Sequence, residues 1–402
     1  MSDFADVVVI GGGVAGTAAA VAAARNGCRV VLVEQEQYLG GTGYAGLFQY
    51  ICGLYLNAEK APTETLNDGI ARELADGLLR SSPGRGIKKI GQVYVLPYTR
   101  EELETALSAM AGAENNLTVL RKCSCRAVMM SGNRIASVTI EDADRTTILN
   151  SAMVIDATGS GHVAAMAGAG FDLADPDKRQ FAGFVFQVRG LKNAEQSLAL
   201  QVPYHLAMAV KQGIFPPEVK YTTFTAGDHP AEGYCKMSIP PDEGPGRDEK
   251  ARTNAAKIHA YLASVIPAFQ GSSIVSASLR VLEREGRRIT GMYTLTKEDV
   301  LSARKFPDGV VKNAWPIELW NREKGTIYRY VPRGDYYEIP FRCLQVKGIP
   351  NMLAAGRCIS VTREALGSTR VMGTCLSIGE QAGKAAAYMV KNGKYPEKIK
   401  EQ

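Results

Sequence analysis

The sequence predicts an α/β fold in which a Rossmann-like domain is interrupted by an inserted α+β domain. Three stretches carry this prediction: a strand–helix–strand pattern over residues 6–34, a strand that ends in a tight turn after residue 156, and a strand, loop and long helix over residues 352–392. Residues 171–275, between the last two stretches, mix strand-like and helical patterns with many prolines. We therefore expect the outer stretches to form one domain and the middle region to belong to a second.

Composition and cysteine usage limit the compartment and the class of partner. The chain has 402 residues, of which 46% are hydrophobic and 22% charged, with a formal net charge of +6. This mild charge predicts neither a nucleic acid nor a membrane as partner. The eight cysteines contain no CxxC motif, so they indicate neither a disulfide framework nor a metal site and favour a reducing compartment. We expect a cytoplasmic enzyme without a metal.

The first elements are a buried parallel strand, a glycine-rich turn and a helix. Asp6–Ile10 is a β-branched apolar run, and Val14–Asn26 is alanine-rich. The glycines between them fit the GxGxxG pattern. Gly11 permits the tight turn, Gly13 lets backbone amides approach a pyrophosphate, and Gly16 lets the helix pack closely on the strand.

A second strand, Arg29–Val33, completes this unit and ends at Glu34. A carboxylate at the end of this strand is suited to accept hydrogen bonds from ribose hydroxyls. Because the glycines follow a strand, open a helix and precede this acidic residue, they predict a dinucleotide site. Helices are predicted next over residues 63–80 and 100–113, and strands between residues 117 and 155.

A further strand runs into a tight turn at Val154–Gly159, where the chain is expected to return to the dinucleotide. A GxGxxA pattern over Gly159–Ala164 overlaps this turn and suggests a separate NAD(P)H site. The same residues cannot easily serve both sites. We therefore predict no dedicated NAD(P)H domain.

The C-terminal region combines a strand and turn over Met352–Cys358, a loop over Leu366–Thr374 and a helix from about Gly373 to Asn392. The N-terminus of such a helix would stabilise negative charge on the pyrimidine ring of a reduced flavin. The alternative is a terminal strand, loop and helix with only a packing role.

Together these stretches resemble the FAD-dependent oxidoreductase family related to the fumarate reductase and succinate dehydrogenase flavoproteins and to the flavin subunit of heterodisulfide reductase. The matching segments span residues 7–387 and include VVVIGGGVAGTAAAVAAARNGCRVVLVEQ, GGTGYAGL, VIDATGSGHVAAMAG and LGSTRVMGTCLSIGEQAGKAAA. The resemblance implies a Rossmann-like, glutathione-reductase-like FAD-binding domain with an inserted α+β substrate or cap domain. The expected FAD-binding domain comprises residues 1–50, 90–170 and 343–402, and the expected cap comprises residues 51–89 and 171–342.

The resemblance also implies which residues contact FAD. They are Gly11, Gly13, Val14, Ala15, Gly16, Glu34, Gln35, Gly41, Thr42, Val128, Ala157, Thr158, Gly159, Gly356, Arg357, Ser368, Arg370, Val371 and Met372. Relatives often carry a histidine, linked covalently to FAD, where this chain has Thr42, Gly43 and Tyr44. We therefore predict non-covalent FAD, with a link through Tyr44 or Cys52 as the alternative.

Flavin redox chemistry also needs a proton donor or acceptor beside the substrate. The polar segment Tyr328–Arg342 supplies arginines that could clamp a carboxylate and tyrosines that could donate a proton. The alternative is a structural hairpin whose arginines pair with Asp335 and Glu338. The best candidate base among the histidines is in the loop 227–230. The candidate catalytic residues are thus Arg333, Tyr336, Arg342 and His229.

The sequence thus predicts an FAD-dependent oxidoreductase that moves a hydride between a small organic substrate and N5 of the flavin, with an unknown electron partner. Two alternatives stay open. One is an electron-transfer subunit of a larger redox complex, and the other is a lyase or isomerase that uses FAD without net redox change. Substrate identity and direction of catalysis are open, as is a homo-oligomeric state.

Overall fold

The computed structural model describes residues 4–82, 84–175, 178–192, 197–241, 244–321 and 325–395. Its strands are β1 (Phe4–Ile10), β2 (Val30–Val33), β3 (Tyr50–Ile51), β4 (Lys88–Ile90), β5 (Val93–Pro97), β6 (Leu117–Leu120), β7 (Ser124–Ser131), β8 (Arg134–Glu141), β9 (Thr146–Asp156), β10 (Phe171–Asp172), β11 (Ala182–Arg189), β12 (Thr223–Ala226), β13 (Glu232–Ile239), β14 (Ser273–Ala277), β15 (Arg288–Ile289), β16 (Gly309–Asn313), β17 (Ile317–Asn321), β18 (Gly325–Arg329), β19 (Tyr337–Pro340) and β20 (Met352–Ala354).

The α-helices are α1 (Val14–Arg25), α2 (Thr42–Ala45), α3 (Ile70–Ser81), α4 (Arg100–Gly112), α5 (His162–Met166), α6 (Leu198–Lys211), α7 (Arg247–Val265), α8 (Lys297–Leu301), α9 (Arg363–Thr369) and α10 (Met372–Asn392). Short 3₁₀ turns cover Pro217–Tyr221, Pro267–Phe269, Phe341–Cys343 and Gly356–Cys358. None of the helices in the described ranges is long and apolar enough to cross a membrane.

The main sheet has the order β6-β2-β1-β9-β8-β7, with β20 also paired to β9. Strands β6, β2, β1, β9 and β20 run parallel, whereas β7, β8 and β9 form an antiparallel meander. The long strand β9 makes both parts possible, because its first half pairs with β8 and its last residues pair with β20. The Rossmann-like α/β fold predicted from the sequence is confirmed, and the chain re-enters its first sheet near its C-terminus.

Helices α1 and α10 pack against each other beside this sheet. A Cβ at Gly379 would lie 2.0 Å from the carbonyl oxygen of Ala15, and one at Gly383 would lie 2.2 Å from that of Ala19. These small residues therefore allow two helix backbones to approach closely. The alanine-rich α1 is buried from Val14 to Ala24, which explains its apolar composition.

A second, smaller sheet forms the cap, in the order β12-β13-β11-β14. Side chains alternate along its strands, so that Cys235 and Met237 of β13 join a separate hydrophobic core with helices α6 and α7. The buried apolar residues of this second core lie between residues 182 and 281. Buried apolar residues between 289 and 349 pack with the larger core instead. The expected division at residues 171 and 342 therefore stays a prediction.

Two helix boundaries show where local signals suffice and where they do not. Helix α4 begins where the sequence predicts, because Thr99 and Glu102 form a reciprocal capping box. The predicted helix over residues 63–80 begins only at Ile70. Gly69 has a φ of +73°, and the backbone N–H of Ile70 donates to the Glu380 carboxylate of α10 over 2.8 Å. A tertiary contact therefore sets the start of α3.

Candidate functional site

A cleft of about 1070 Å³ lies between the main sheet and the cap sheet. On one side it is lined by residues at the carboxyl ends of β1, β2, β9 and β20, the edge at which doubly wound sheets bind ligands. We call this side the floor. On the other side it is lined by alternate residues of the cap strands, among them Val185, Thr223 and Lys236, which point away from the second core. We call this side the roof.

Most of the predicted cofactor residues meet in this cleft. Those that line it are Gly11, Gly13, Val14, Ala15, Glu34, Gln35, Gly41, Thr42, Ala157, Thr158, Gly159, Gly356, Arg357, Arg370, Val371 and Met372. They come from four separate segments of the chain, and the parallel order of β2, β1, β9 and β20 brings these segments to one edge. Their roles in binding stay predictions.

The glycines of the first turn form a narrow backbone cradle. Gly11 has a φ of +105°, and a Cβ there would lie 2.5 Å from the carbonyl oxygen of Ala157. A Cβ at Gly16 would lie 1.7 Å from the carbonyl oxygen of Gly11, so this glycine serves helix–strand packing and does not line the cleft. A Cβ at Gly13 would meet only the Cα of Gly41, at 4.0 Å, and would otherwise project into open space. The cradle is therefore shaped for a ligand that approaches the backbone.

Two helix N-termini also face the cleft. Helix α1 has Gly13 as its N-cap and helix α10 has Val371, and neither N-cap makes a side-chain hydrogen bond. Neither first turn contains an acidic residue. The backbone N–H groups in the first turn of α1 are thus available to negative charge, as is that of Met372 in α10, whereas the N–H of Gly373 already donates to the carbonyl oxygen of Cys52 over 2.8 Å. With the glycine cradle, the first suits a pyrophosphate and the second a flavin ring, so this part of the cleft fits FAD.

Glu34 lies at the end of β2 and is 6% exposed. Its carboxylate accepts hydrogen bonds from the backbone N–H groups of Gly12, at 2.5 Å, and Glu36, at 2.8 Å. Burial raises the pKa of the Glu34 carboxyl, against the lowering effect of these two bonds. The carboxylate is therefore held in a fixed orientation at the cleft.

Arg357 lies beside the turn that follows β9. A Cβ at Gly159 would lie 2.8 Å from Nη2 of Arg357, so the guanidinium fits only because residue 159 is a glycine. Its Nη1 donates to the carbonyl oxygen of Glu283. Burial lowers the pKa of the Arg357 guanidinium. This side chain links the floor to the loop that follows β14, the last strand of the cap sheet.

Two further residues predicted to contact FAD lie outside the lining. Ser368 is fully buried, and its hydroxyl donates to the carbonyl oxygen of Trp315 over 2.6 Å. Val128 is half-buried in β7, whereas the cleft is lined by residues 123–126 just before it. The cleft is thus lined by residues 124–126 at the beginning of β7 and not by Val128.

The two arginine candidates for catalysis form ion pairs away from the cleft. Arg333 pairs with Glu59 at 3.3 Å, and Arg342 pairs with Asp308 at 2.9 Å. Neither belongs to the cleft lining. Their partners also differ from Asp335 and Glu338, which the alternative hairpin interpretation expected. The segment is divided between two antiparallel pairs, β17–β18 and β16–β19, and this separates its charges.

Tyr336 and His229 also lie outside the lining. The Lys305 ammonium lies 4.2 Å from the centroid of the Tyr336 ring. His229 is exposed between β12 and β13, and its Nδ1 accepts from the backbone N–H of Ala231. All four candidates thus lie outside the cleft lining, and their positions do not support a catalytic role.

Arg280 and Glu283 of the loop after β14 line the cleft beside the cap, together with four further charged side chains that were not predicted as a group. The four are Lys236 of β13, Arg284 from the loop after β14, Glu318 of β17 and Arg370 just before α10, and we call them the polar recess. Arg370 donates to the backbone carbonyl oxygens of Arg284, at 3.1 Å, and Glu318, at 3.2 Å. Arg370 and Arg284 lay in segments that resemble the family, LGSTRVMGTCLSIGEQAGKAAA and REGRRITGMYTLTKEDVL, and no sequence spacing joins them to Lys236 and Glu318.

Burial and mutual charge shift the pKa values of three side chains in the polar recess. The charge of Arg284, and then burial, lower the pKa of the Lys236 ammonium to about 8. Burial, and then the charge of Arg370, lower the pKa of the Arg284 guanidinium to about 10. Burial opposes ionisation of Glu318, but the three neighbouring cations outweigh it and the pKa of its carboxyl is lowered. At neutral pH the recess therefore holds three cations and one anion.

An apolar wall adjoins the polar recess. It consists of Val93, Val95 and Trp315, with Tyr50 and Cys52 packed against them. Burial raises the pKa of the Cys52 thiol to about 12, so this residue is a neutral thiol at physiological pH. Of the two residues named for a covalent flavin link, Cys52 lines the cleft, whereas Tyr44 stacks on Tyr38 with centroids 4.2 Å apart.

Comparison with known proteins extends these observations. A sequence model of the family described as FAD dependent oxidoreductase matches residues 6–402. Digeranylgeranylglycerophospholipid reductase 2 of Methanopyrus kandleri is 30% identical over 155 residues, which are 38% of this chain and 37% of that protein. The chain thus matches little more than a third of the length of this curated relative.

Solved structures share the fold. A geranylgeranyl bacteriochlorophyll reductase-like protein from Thermoplasma acidophilum has a TM-score of 0.50 and 13% identity, over 98% of this chain and 81% of that one. An anhydrotetracycline hydroxylase from Streptomyces rimosus has a TM-score of 0.54 and 13% identity, over 98% of this chain and 64% of that one. At such identities the likeness is one of fold alone.

Proposed function

The chain belongs to the FAD-dependent oxidoreductase family, and on this premise we propose that it transfers a hydride between a small organic substrate and N5 of FAD. The observation that carries the proposal is the continuity of one cleft. Its floor holds the glycine cradle and two helix N-termini, and its roof holds the polar recess. A cofactor and a substrate would thus share a single space.

We assign the holding of FAD to the floor. When bound, FAD supplies the redox chemistry of the reaction. The backbone of Gly13 and the N-terminus of α1 would hold the pyrophosphate, and Glu34 would accept hydrogen bonds from the ribose. The N-terminus of α10, beginning at Met372, would stabilise negative charge on the flavin ring. The cap sheet covers the cleft and would limit the access of water to the reacting atoms.

Several finer statements remain predictions. They are the closer relation to the fumarate reductase and heterodisulfide reductase flavoproteins, the non-covalent attachment of FAD, the cytoplasmic location and the nature of the electron partner. The relative from Methanopyrus kandleri is named as a reductase. For this chain we propose hydride transfer without assigning whether the substrate donates or accepts the hydride.

The first experiment is a visible spectrum of the purified protein before and after acid precipitation. We expect flavin bands that move to the supernatant, because FAD is held by backbone and side-chain contacts without a covalent bond. Colour retained in the pellet would contradict this and direct attention to Cys52. A colourless protein that also fails to bind added FAD would contradict the assignment of the floor.

The hydride step is tested by mixing the FAD-loaded protein with candidate substrates in the absence of oxygen. A substrate that donates the hydride should bleach the flavin bands, and more slowly when deuterium replaces hydrogen on the reacting carbon, whereas a substrate that accepts it should restore the bands of chemically reduced flavin. Conversion of a substrate without bleaching would instead identify a lyase or isomerase. Bleaching by reduced carrier proteins alone would identify an electron-transfer subunit.

A further inference from the structure

The polar recess contains more positive charge than its own residues neutralise. Within the recess, Lys236, Arg284 and Arg370 face the carboxylate of Glu318, which leaves an excess of two positive charges among these four side chains at neutral pH. Charges removed from water are costly unless they are paired. Repulsion between the cations contributes to the lowered pKa of Lys236 ahead of burial, and to the lowered pKa of Arg284 after burial. An anion in the recess would relieve it.

Two buried donors in the same part of the cleft have no partner. Nη1 of Arg284 and Nε1 of Trp315 make no hydrogen bond within the described ranges. Trp315 is only 7% exposed, so water has little access to its indole N–H. Fifteen buried side-chain polar atoms of the described residues lack a partner, and these two belong to residues that line the cleft at the recess, where a ligand with acceptor atoms would pair them. Arg370 differs, because two backbone carbonyl oxygens already fix its guanidinium.

The surroundings indicate what the rest of that ligand is like. Val93, Val95 and Trp315 form a continuous apolar wall beside the charged side chains. Lys236 extends from the cap sheet and Arg284 from the loop that follows it, so the cations approach from the roof. The recess thus offers positive donors at one end and apolar surface at the other.

We propose that the polar recess binds an organic anion, a carboxylate or a phosphate monoester, whose apolar body lies against Trp315, and that such anions are the substrate class of this enzyme. Arg284 supplies the paired N–H donors that match either group, and Lys236 supplies a second charge. The choice of substrate class rests on the proposed function, but the binding of the anion does not require turnover.

Three probes with one phenyl ring test the proposal. Benzoate, phenyl phosphate and neutral benzamide are each titrated into the FAD-loaded protein, and binding is followed by the change in the flavin spectrum and by the melting temperature. We expect at least one anion to bind about ten-fold or more tightly than benzamide, the effect of one charge-assisted hydrogen bond. The preferred anion identifies the group. Equal binding of all three, or no binding of either anion, overturns the proposal.

Substitutions locate the binding. Arg284→Gln and Lys236→Met are each expected to weaken the preferred anion about ten-fold and to leave benzamide within about two-fold. The matched controls are Arg80→Gln and Lys211→Met, which remove exposed charges of α3 and α6 outside the cleft. If Arg284→Gln does not fold, Arg284→Lys replaces it in this test. That variant keeps the positive charge and removes only the planar guanidinium with its paired N–H donors. Anion affinity unchanged in both recess variants overturns the proposal.

The pH dependence supplies a second readout. Lys236 faces Arg284, Glu318, Arg370 and Cys52, and its pKa of about 8 makes its charge the first to be lost as pH rises. Benzoate itself stays ionised above about pH 6, so its affinity should fall as pH rises through about 8. Lys236→Met should remove this fall, whereas Arg284→Gln should move it to higher pH, because the repelling charge is gone. A fall that persists in Lys236→Met overturns the role of Lys236.

The two proposals fail in different ways. Selective binding of an anion, with neither reduction of the flavin by anionic substrates nor reoxidation of the reduced flavin by them, would support anion binding in the recess and refute the hydride transfer. Reduction of the flavin by neutral substrates, at a rate that Arg284→Gln does not change, would support the hydride transfer and refute the proposal that the recess binds anionic substrates.

Discussion

The floor and the roof of the cleft are built from different parts of the chain. The floor exposes mainly backbone: a glycine turn, in which Gly11 has no room for a Cβ and Gly13 borders open space, and two helix N-termini without side-chain caps. The roof exposes side chains, of which Lys236 and Arg284 carry the charge. Binding by a backbone surface is disrupted by substitutions that add atoms, whereas binding by charged side chains is disrupted by substitutions that remove the charge. This difference determines which substitutions are informative in each region.

The comparison also separates two kinds of specificity. Backbone N–H groups at a helix N-terminus recognise any suitably shaped anion, so the floor suits a cofactor that many proteins share. Charged side chains can be replaced without disturbing the main chain, so the roof is where a substrate preference can be altered. Substitutions at Lys236 and Arg284 should therefore alter ligand choice while FAD content is retained.

The largest expected effect is that of adding one methyl group to the floor. Gly11→Ala places a Cβ 2.5 Å from the carbonyl oxygen of Ala157 at a φ of +105°. We expect loss of bound FAD and a decrease of about 1–3 kcal/mol in the free energy of unfolding. Bound flavin per chain and urea unfolding measure the two effects.

The matched control for this substitution is Gly77→Ala. Gly77 lies within α3, and a Cβ there would meet no atom within 4 Å. Because alanine favours helix, FAD content should be unchanged and stability should rise by about 0.5–1 kcal/mol. A Gly11→Ala protein that behaves like this control would show that the floor has room for a side chain.

A smaller effect is expected for Glu34→Gln, which tests a side chain of the floor. The neutral amide accepts weaker hydrogen bonds than the carboxylate, so FAD affinity should fall about ten-fold. Isothermal titration of the cofactor-free protein with FAD measures this change. Glu36→Gln is the control, because Glu36 lies two residues further on and outside the cleft lining. Equal losses in the two variants would contradict a specific role for Glu34.

The smallest effect is expected for a contact that supports the floor from behind. The hydroxyl of Tyr98 donates to the carbonyl oxygen of Gly43 over 2.7 Å, and Tyr98 is buried. Tyr98→Phe should lower the free energy of unfolding by about 0.5–1.5 kcal/mol and leave FAD content nearly unchanged. Tyr204→Phe, at an exposed position of α6, should change neither quantity. An unchanged free energy of unfolding in Tyr98→Phe would show that this hydrogen bond does not stabilise the loop.

The sequence by itself determined the floor of the cleft. The signal for glycine at residues 11, 13 and 16 is local in the sequence, because a strand, a turn and a helix follow one another there. A Cβ at Gly16 would meet the nearby carbonyl oxygen of Gly11, whereas one at Gly11 would meet Ala157, just after β9. The capping box of Thr99 and Glu102 is local in the same sense. The strands and helices that carry these signals were predicted nearly to the residue, and the FAD-dependent oxidoreductase family was identified through them.

Only the tertiary structure decided the rest. The start of α3 depends on Glu380, and the cleft is lined by residues at the beginning of β7 and not by Val128. The polar segment containing Arg333 and Arg342 was a reasonable candidate for catalysis, but strand pairing directs its charges to Glu59 and Asp308. Lys236 and Glu318 carry no motif and become neighbours only when β13 and β17 meet at one cleft. Charge repulsion and burial act through space, so no spacing in the sequence records them.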